Sequence, residues 1–332
     1  MLIRSALLAI ALAAAAAPAT ALDILLGNDD GFETANVRAL QQRLKAAGHD
    51  VLVAAPAQNN SGRGGAILFL KPLGPLTDAS RYGSVAAGAP GVGADPADAD
   101  VRYVDGTPVM ALLYGLDVAA PKRWGRAPDL VLSGPNEGAN LGAVVVSSGT
   151  VNNALYAINR GLPAIAVSYA DFGSRPWSAL APGAIEYEIA DRVVALVNQL
   201  ERRRGRDGRL LPPGTGLNVN IPRFAPGTGA QLQWRLARVG AAAGSAPVFF
   251  ERLADSPAAV QAHTGVDLPG IGFVAGGAPL PPGVAIPVDD DPRSEANVLA
   301  TGRIAVSVLQ GVPAAGSGPE TRARARLRGL AR

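Results

Sequence analysis

The chain has 332 residues, no cysteine, two histidines and a formal net charge of +3 at pH 7. Without cysteine it forms no disulfide and offers no thiol nucleophile, and two histidines argue against an imidazole-rich zinc site. Part of the positive charge lies in residues 201–206 and in the tail from Arg322 to Arg332. No aromatic residues alternate with these basic ones, so the pattern predicts solvated helix ends and no binding to a nucleic-acid duplex.

Residues 1–21 are typical of a cleaved signal peptide. Arg4 is their only charged residue, an alanine- and leucine-rich run follows it, and Ala19-Thr20-Ala21 has the small residues that signal peptidase prefers. The run is short for a membrane anchor, and no later segment is apolar enough to span a bilayer. We therefore expect an exported, periplasmic or secreted protein that starts near Leu22 and has no membrane attachment after cleavage.

Strand and helix patterns alternate over residues 22–222. The predicted strands are Leu22–Gly27, Asp50–Ala55, Ala66–Leu70, Asp129–Leu132, Pro163–Ser168 and Leu217–Ile221. The predicted helices are Thr34–Ala47, Gly106–Val118, Thr150–Arg160 and Ala184–Arg204. A loose loop is predicted over Gly83–Asp100. This alternation predicts an α/β fold, a three-layer αβα Rossmann-like domain with a mainly parallel sheet.

The C-terminal third has a weaker pattern. Frequent proline and glycine over Arg223–Pro287 predict an extension of hairpins and loops, and Ala300–Leu309 predicts a strand that returns to the same domain. We therefore assign residues 223–310 to a C-terminal extension with a returning strand. We assign residues 311–332 to a basic, flexible tail.

Polar residues follow three of the predicted strands. Asp29 and Asp30 follow the first strand, Ser61 lies in the loop after the second, and Asn136 follows the strand Asp129–Leu132. Ligands of open α/β sheets bind beyond the carboxyl ends of the strands, so these side chains are expected at one edge. Adjacent carboxylates repel each other unless a cation lies between them. Two carboxylates, a hydroxyl and an amide oxygen predict one divalent cation, Mg²⁺ or Mn²⁺.

Ser148-Gly149-Thr150 precedes the predicted helix Thr150–Arg160. Serine and threonine are the usual N-cap residues, so an ordinary cap is one interpretation. The amides of a helix start also bind phosphate, and glycine allows a close approach of the backbone. Beside the predicted cation site, both interpretations stay open.

Several sequence motifs occur along the chain in the same order as in one known protein family. They are Asn28-Asp29-Asp30-Gly31, Ser61-Gly62, Gly106-Thr107-Pro108, Ser133-Gly134-Pro135-Asn136-Glu137-Gly138-Ala139-Asn140-Leu141-Gly142, Ser148-Gly149-Thr150-Val151 and Leu217-Asn218-Val219-Asn220-Ile221-Pro222. With these motifs the chain resembles the SurE family of survival-protein nucleotidases and acid phosphatases, over about Leu22 to Pro222.

The resemblance implies a phosphomonoesterase that hydrolyses nucleoside 5′- or 3′-monophosphates or other small phosphate esters. It implies one divalent cation held by Asp29, Asp30, Ser61 and Asn136, with Asp29 and Asp30 catalytic and Asp29 as the general base. It further implies phosphate contacts from four residues: Asn140, Ser148, Gly149 and Thr150. Family members commonly form dimers or tetramers, so a homodimer or homotetramer is expected.

The chain departs from the family pattern at a few positions. Gly27 replaces a usual threonine or serine, Pro135 replaces a small aliphatic residue, and Tyr156 replaces a common glutamate. Two alternatives follow. One is a nucleotide- or phosphate-binding protein of the same family with impaired catalysis, and the other is a phosphoacceptor receiver module. The leader and the absence of a suitably placed lysine after a late strand disfavour the receiver.

Overall fold

The computed structural model describes residues 21–257, 267–275, 278, 280–312 and 317–327. The predicted signal peptide thus lies outside the described residues except for Ala21. Nine of the described strands form one sheet in the order β3-β4-β2-β1-β5-β6-β7-β11-β8. These strands are β1 Asp23–Gly27, β2 Asp50–Pro56, β3 Val92–Asp95, β4 Asp98–Val104, β5 Leu130–Glu137, β6 Ala164–Tyr169, β7 Thr215–Ile221, β8 Trp234–Leu236 and β11 Ile304–Gln310.

The middle of the sheet is parallel. Strands β4, β2, β1, β5, β6 and β7 run in one direction, and β3 and β11 pair antiparallel with β4 and β7. The central strands are buried on both faces, as runs such as Ile24-Leu25-Leu26 predict. The predicted mainly parallel α/β fold is therefore confirmed.

Helices cover both faces of the sheet. They are α1 Ala35–Ala46, α2 Pro108–Tyr114, α3 Ala120–Trp124, α4 Gly149–Asn159, α5 Ile185–Arg202, α6 Glu295–Ala300 and α7 Ser317–Arg326. Helices α1 and α5 pack on one face through apolar residues such as Leu40 and Val193. Helices α2 and α4 pack on the other through residues such as Leu112 and Ala154. The three predicted layers are present.

The predicted strand Ala66–Leu70 is wrong. Phe69 and Leu70 are exposed, and Leu70 has a φ of 56°, which is incompatible with an extended strand. The predicted loop Gly83–Asp100 is wrong in part, because it contains β3 and the start of β4. Buried Asp95 in β3 forms an ion pair with buried Arg38 of α1, so polar residues occupy positions where a strand pattern would show apolar ones.

Other boundaries also differ from the sequence predictions. The helix predicted to end at Val118 continues beyond that residue. After α2 the chain makes a π-helical turn, Gly115–Ala119, and then forms α3, which ends where Gly125 adopts the left-handed conformation. The strand predicted over Ala300–Leu309 starts at Ile304, because α6 precedes it with Ser294 as its N-cap. The predicted tail, residues 311–332, contains α7, whose described side chains from Glu320 onward are exposed, and its flexibility stays a prediction.

The C-terminal extension contains a separate hairpin. Strands β9 Ser245–Phe250 and β10 Gly270–Ala275 pair antiparallel, with Val248, Phe250 and Val274 in a small core. Strand β8 joins the main sheet beside β11. Among the described helices, we find none with both the length and the apolar character needed to cross a membrane.

Candidate active site

The loop after β1 holds two adjacent carboxylates inside the protein. Asn28 fixes this loop, because its side chain accepts a hydrogen bond from the Gly31 amide at 3.2 Å and donates to the Gly31 carbonyl at 2.9 Å. Asp29 and Asp30 are 2% and 1% exposed. Burial of a carboxylate disfavours its charged form, so the site strongly favours a nearby positive charge.

The Asp29 carboxylate lies at the start of helix α4. The Thr150 hydroxyl donates to Asp29 Oδ1 at 2.6 Å, and the backbone amides of Gly149 and Thr150 also stabilise the charge. Burial nevertheless raises the pKa of Asp29 above its ordinary value, because these hydrogen bonds offset the desolvation only in part. A Cβ atom at Gly149 would lie 2.6 Å from Asp29 Cβ, so only glycine allows this approach.

Asp30 is in contact with Glu137, the last residue of β5. The Glu137 amide donates to Asp30 Oδ2 at 3.1 Å. Burial raises the pKa of Asp30 well above its ordinary value, and the negative charges of Asp29 and Glu137 raise it further. Arg81 lies close enough to lower this pKa, although no pattern in the sequence singles out that residue.

Asn136 and Ser61 come from a strand and a loop: β5 runs to Glu137, past its predicted end at Leu132, and contains Asn136, whereas Ser61 lies in the loop after β2. The Asn136 amide nitrogen donates to the Gly138 carbonyl at 2.7 Å, which leaves its oxygen as the free ligand atom. Ser61 is exposed and donates its hydroxyl to Asn59 Oδ1 at 2.8 Å. The loop of Ser61 is tied to the site because the Asn60 amide donates to the Asp29 carbonyl at 2.8 Å.

The residues predicted to contact phosphate occupy two environments. Ser148 is the N-cap of α4 and accepts a hydrogen bond from the Val151 amide at 3.1 Å, so the cap interpretation describes its hydroxyl. Asn140 is buried, and its side chain donates to Ser168 Oγ at 2.9 Å. The Asn140 carbonyl accepts from Asn218 and Asn220, which fixes the loop after β5 to β7.

The donor set suits a hard divalent cation. Two buried carboxylates and the Asn136 amide oxygen are ligands of the kind that Mg²⁺ and Mn²⁺ take, and the Ser61 hydroxyl, here bound to Asn59, is a ligand of the same kind. Within the described residues no group of three or more histidine, cysteine, aspartate or glutamate side chains could hold a metal ion. Any cation at this site would therefore complete its shell with neutral oxygens.

The fold and the site together define an α/β protein with an oxygen-donor site at the carboxyl edge of a parallel sheet. The family model described as "Survival protein SurE" matches residues 24–244. The chain belongs to the SurE family. The resemblance inferred from the motifs is confirmed.

Individual relatives support this assignment. The chain is 38% identical over 205 residues to an acid phosphatase of Yarrowia lipolytica, which covers 60% of this chain and 56% of the relative. It is 37% identical over 200 residues to a 5′-nucleotidase SurE of Solidesulfovibrio magneticus, which covers 60% of this chain and 65% of the relative. The match thus spans less than two thirds of either relative. The crystal structure of a SurE protein from Aquifex aeolicus has a TM-score of 0.61 at 25% identity and covers 92% of this chain and 98% of that one.

Replacement of Gly27 by serine should stabilise the protein by about 1 kcal/mol. Asn153 of α4 is fully buried, and its Oδ1 atom has no hydrogen-bond partner among the described residues. A Cβ atom at Gly27 would lie 3.4 Å from Asn153 Nδ2 and from the Ala54 carbonyl, so a small side chain fits beside this amide. The hydroxyl would gain a hydrogen bond to this amide side chain, whose Nδ2 is its nearest atom. Urea unfolding of the wild type and the Gly27→Ser variant measures the difference.

The Gly27→Ala variant is the matched control for this change. It fills the same space without a hydroxyl, so the difference between the two variants isolates the hydrogen bond. A serine variant no more stable than the alanine variant would show that the hydroxyl does not reach Asn153.

Proposed function

We propose that this protein is an exported phosphomonoesterase that depends on a divalent cation and hydrolyses nucleoside 5′- or 3′-monophosphates. One observation carries the proposal: Asp29 and Asp30 are adjacent, almost fully buried and held at the carboxyl edge of the sheet beside Asn136. Such a pair is costly in a protein without a cation. The printed names of the relatives, acid phosphatase and 5′-nucleotidase, support the same chemistry for this chain.

The surrounding residues suit a phosphate ester. A bound Mg²⁺ or Mn²⁺ would neutralise the phosphoryl oxygens and orient a water molecule. The family resemblance implies Asp29 as the general base, and its buried carboxylate lies where the water beside the proposed cation would be. The Thr150 hydroxyl donates a hydrogen bond to one carboxylate oxygen of Asp29, which fixes the direction of the other oxygen. The N-terminus of α4 lies beside the Asp29 carboxylate, and its positive dipole end favours negative charge at this place.

Export is proposed from the leader alone. The apolar run and the small residues before Leu22 support cleavage by signal peptidase. Assembly into a homodimer or homotetramer stays a prediction from the family resemblance.

The test is phosphate release by the purified protein from nucleoside 5′- and 3′-monophosphates and from p-nitrophenyl phosphate. Each substrate is assayed with Mn²⁺, with Mg²⁺ and with EDTA. We expect release with a metal ion and none with EDTA. Tight nucleotide binding without release, by protein shown to be folded, would instead support the family member with impaired catalysis.

A further inference from the structure

The segment between β2 and β3 is fixed rigidly beside the candidate active site. Glu33, which is 1% exposed, accepts hydrogen bonds from the Ser80 hydroxyl at 3.0 Å, the Tyr82 amide at 2.8 Å and the Ser84 amide at 2.7 Å. The Arg81 amide donates to the Ala57 carbonyl at 3.0 Å. The backbone of Arg81 is therefore held on both sides.

The Arg81 guanidinium connects two loops and the end of strand β5 at the carboxyl edge of the sheet. Its Nη1 donates to the carbonyl of Asp30 at 2.5 Å, in the loop after β1. Its Nη2 donates to Ser174 Oγ at 2.7 Å, in the loop after β6, and to Glu137 Oε2 at 3.3 Å, at the end of β5. The Arg81 side chain is only 17% exposed and the Glu137 side chain 8%, so the ion pair between them is largely shielded from water.

The contacts of Arg81 close a ring with the candidate metal ligands. Arg81 binds the backbone of Asp30 and the side chain of Glu137, and the Glu137 amide in turn donates to Asp30 Oδ2 at 3.1 Å. Glu137 follows Asn136 directly, so a shift of Glu137 moves both Asn136 and the donor to Asp30. Displacing the guanidinium would therefore disturb two of the predicted ligands together.

We propose that Arg81 is a positioning residue that holds Asp30 and Asn136 in the arrangement that binds the divalent cation. The proposal rests on the metal site of the proposed function. Arginine suits this role because its planar fork makes several hydrogen bonds in fixed directions, whereas lysine carries the same charge as a single point. The Arg81 contribution is therefore geometric and is not reproduced by charge alone.

The experiment is titration of Mn²⁺ into the purified protein by isothermal calorimetry, without substrate. The variants are Arg81→Lys and Arg81→Gln, each checked by circular dichroism for native folding. We expect both to weaken the Mn²⁺ affinity by about 10-fold, the lower range for residues that orient metal ligands. A residue that only stabilises the fold would lower the melting temperature and leave the Mn²⁺ affinity of the folded protein unchanged.

Arg223→Lys is the matched control. Arg223 also binds a backbone carbonyl, that of Ala170 at 2.8 Å, and a carboxylate, that of Asp171 at 2.7 Å, but it is exposed. We expect this variant to bind Mn²⁺ like the wild type. Wild-type affinity in folded Arg81→Lys would overturn the inference alone, and absence of Mn²⁺ binding to the wild type would overturn the proposed metal site as well.

Discussion

Replacement of Asp30 by asparagine should lower phosphate release by roughly 1000-fold and should stabilise the protein in the absence of metal ions. The loss of activity follows because one of two charged ligands is removed, and a bound cation contributes several kcal/mol to transition-state stabilisation. Asparagine keeps an oxygen that accepts from the Glu137 amide, so the loop retains its hydrogen bond. Initial rates with Mn²⁺ measure the first effect.

The gain in stability follows from the raised pKa of Asp30. The folded protein holds the proton more tightly than the unfolded chain, whose carboxyl has a pKa near 3.8. The unfolded state is therefore favoured increasingly as the pH rises above that value, until the pH passes the raised pKa of the folded state. Asparagine removes this penalty, and we expect a gain of about 1 kcal/mol at neutral pH in EDTA.

The pH dependence separates this explanation from a general effect of the substitution. In urea unfolding with EDTA, the free energy of unfolding of Asp30→Asn should exceed that of the wild type by an amount that grows between pH 4 and neutrality. The growth should correspond to the titration of one carboxyl group. The control is Asp117→Asn, which alters an exposed carboxylate paired with Arg160 and should change stability little. An Asp30→Asn variant less stable than the wild type at every pH would contradict the account.

Replacement of Gly149 by alanine should reduce activity by about 100-fold and destabilise the protein by about 1–3 kcal/mol. The added Cβ would lie 2.6 Å from Asp29 Cβ and 2.8 Å from Pro108 Cγ, so the start of α4 must move away from Asp29. That movement lengthens the hydrogen bond from the Thr150 hydroxyl to Asp29. The activity loss should appear in kcat with saturating Mn²⁺.

Gly74→Ala is the control for Gly149→Ala. A Cβ at Gly74 would have no neighbour within 4 Å, and the φ angle of Gly74 lies outside the left-handed region. We expect this variant to keep wild-type activity. Full activity of Gly149→Ala would mean that the close approach of α4 to Asp29 is not required.

The central strands and helices could be predicted from the sequence because their buried residues are apolar and recur at the spacing of a strand or a helix. Strand β1, helix α1 and helix α5 start and end within two residues of the predicted positions. Strands β3 and β4 could not be predicted from the sequence, because ion pairs help to hold them in the sheet. Asp95 pairs with Arg38, and Asp100 pairs with Lys45. Such pairs join residues more than 50 apart and leave no periodic pattern.

The candidate site shows the same division. Asp29, Asp30 and Asn136 could be placed together because parallel strands end at one edge of a sheet. The position of Arg81 could not be predicted, because it lies 51 residues from Asp30 in the sequence. The segment that carries Arg81 is held in place by the buried Glu33. The interior position of Asn140 could not be predicted either, since it depends on amide side chains of β7 that lie 78 and 80 residues further along the chain.

The most direct test of the metal site is an anomalous difference map from crystals of the wild-type protein grown with Mn²⁺. We expect one strong peak within coordination distance of the carboxylates of Asp29 and Asp30 and of the Asn136 amide oxygen, with the Ser61 hydroxyl turned from Asn59 toward it. Binding of Mn²⁺ elsewhere, or a map with no peak between the two carboxylates, would contradict this expectation.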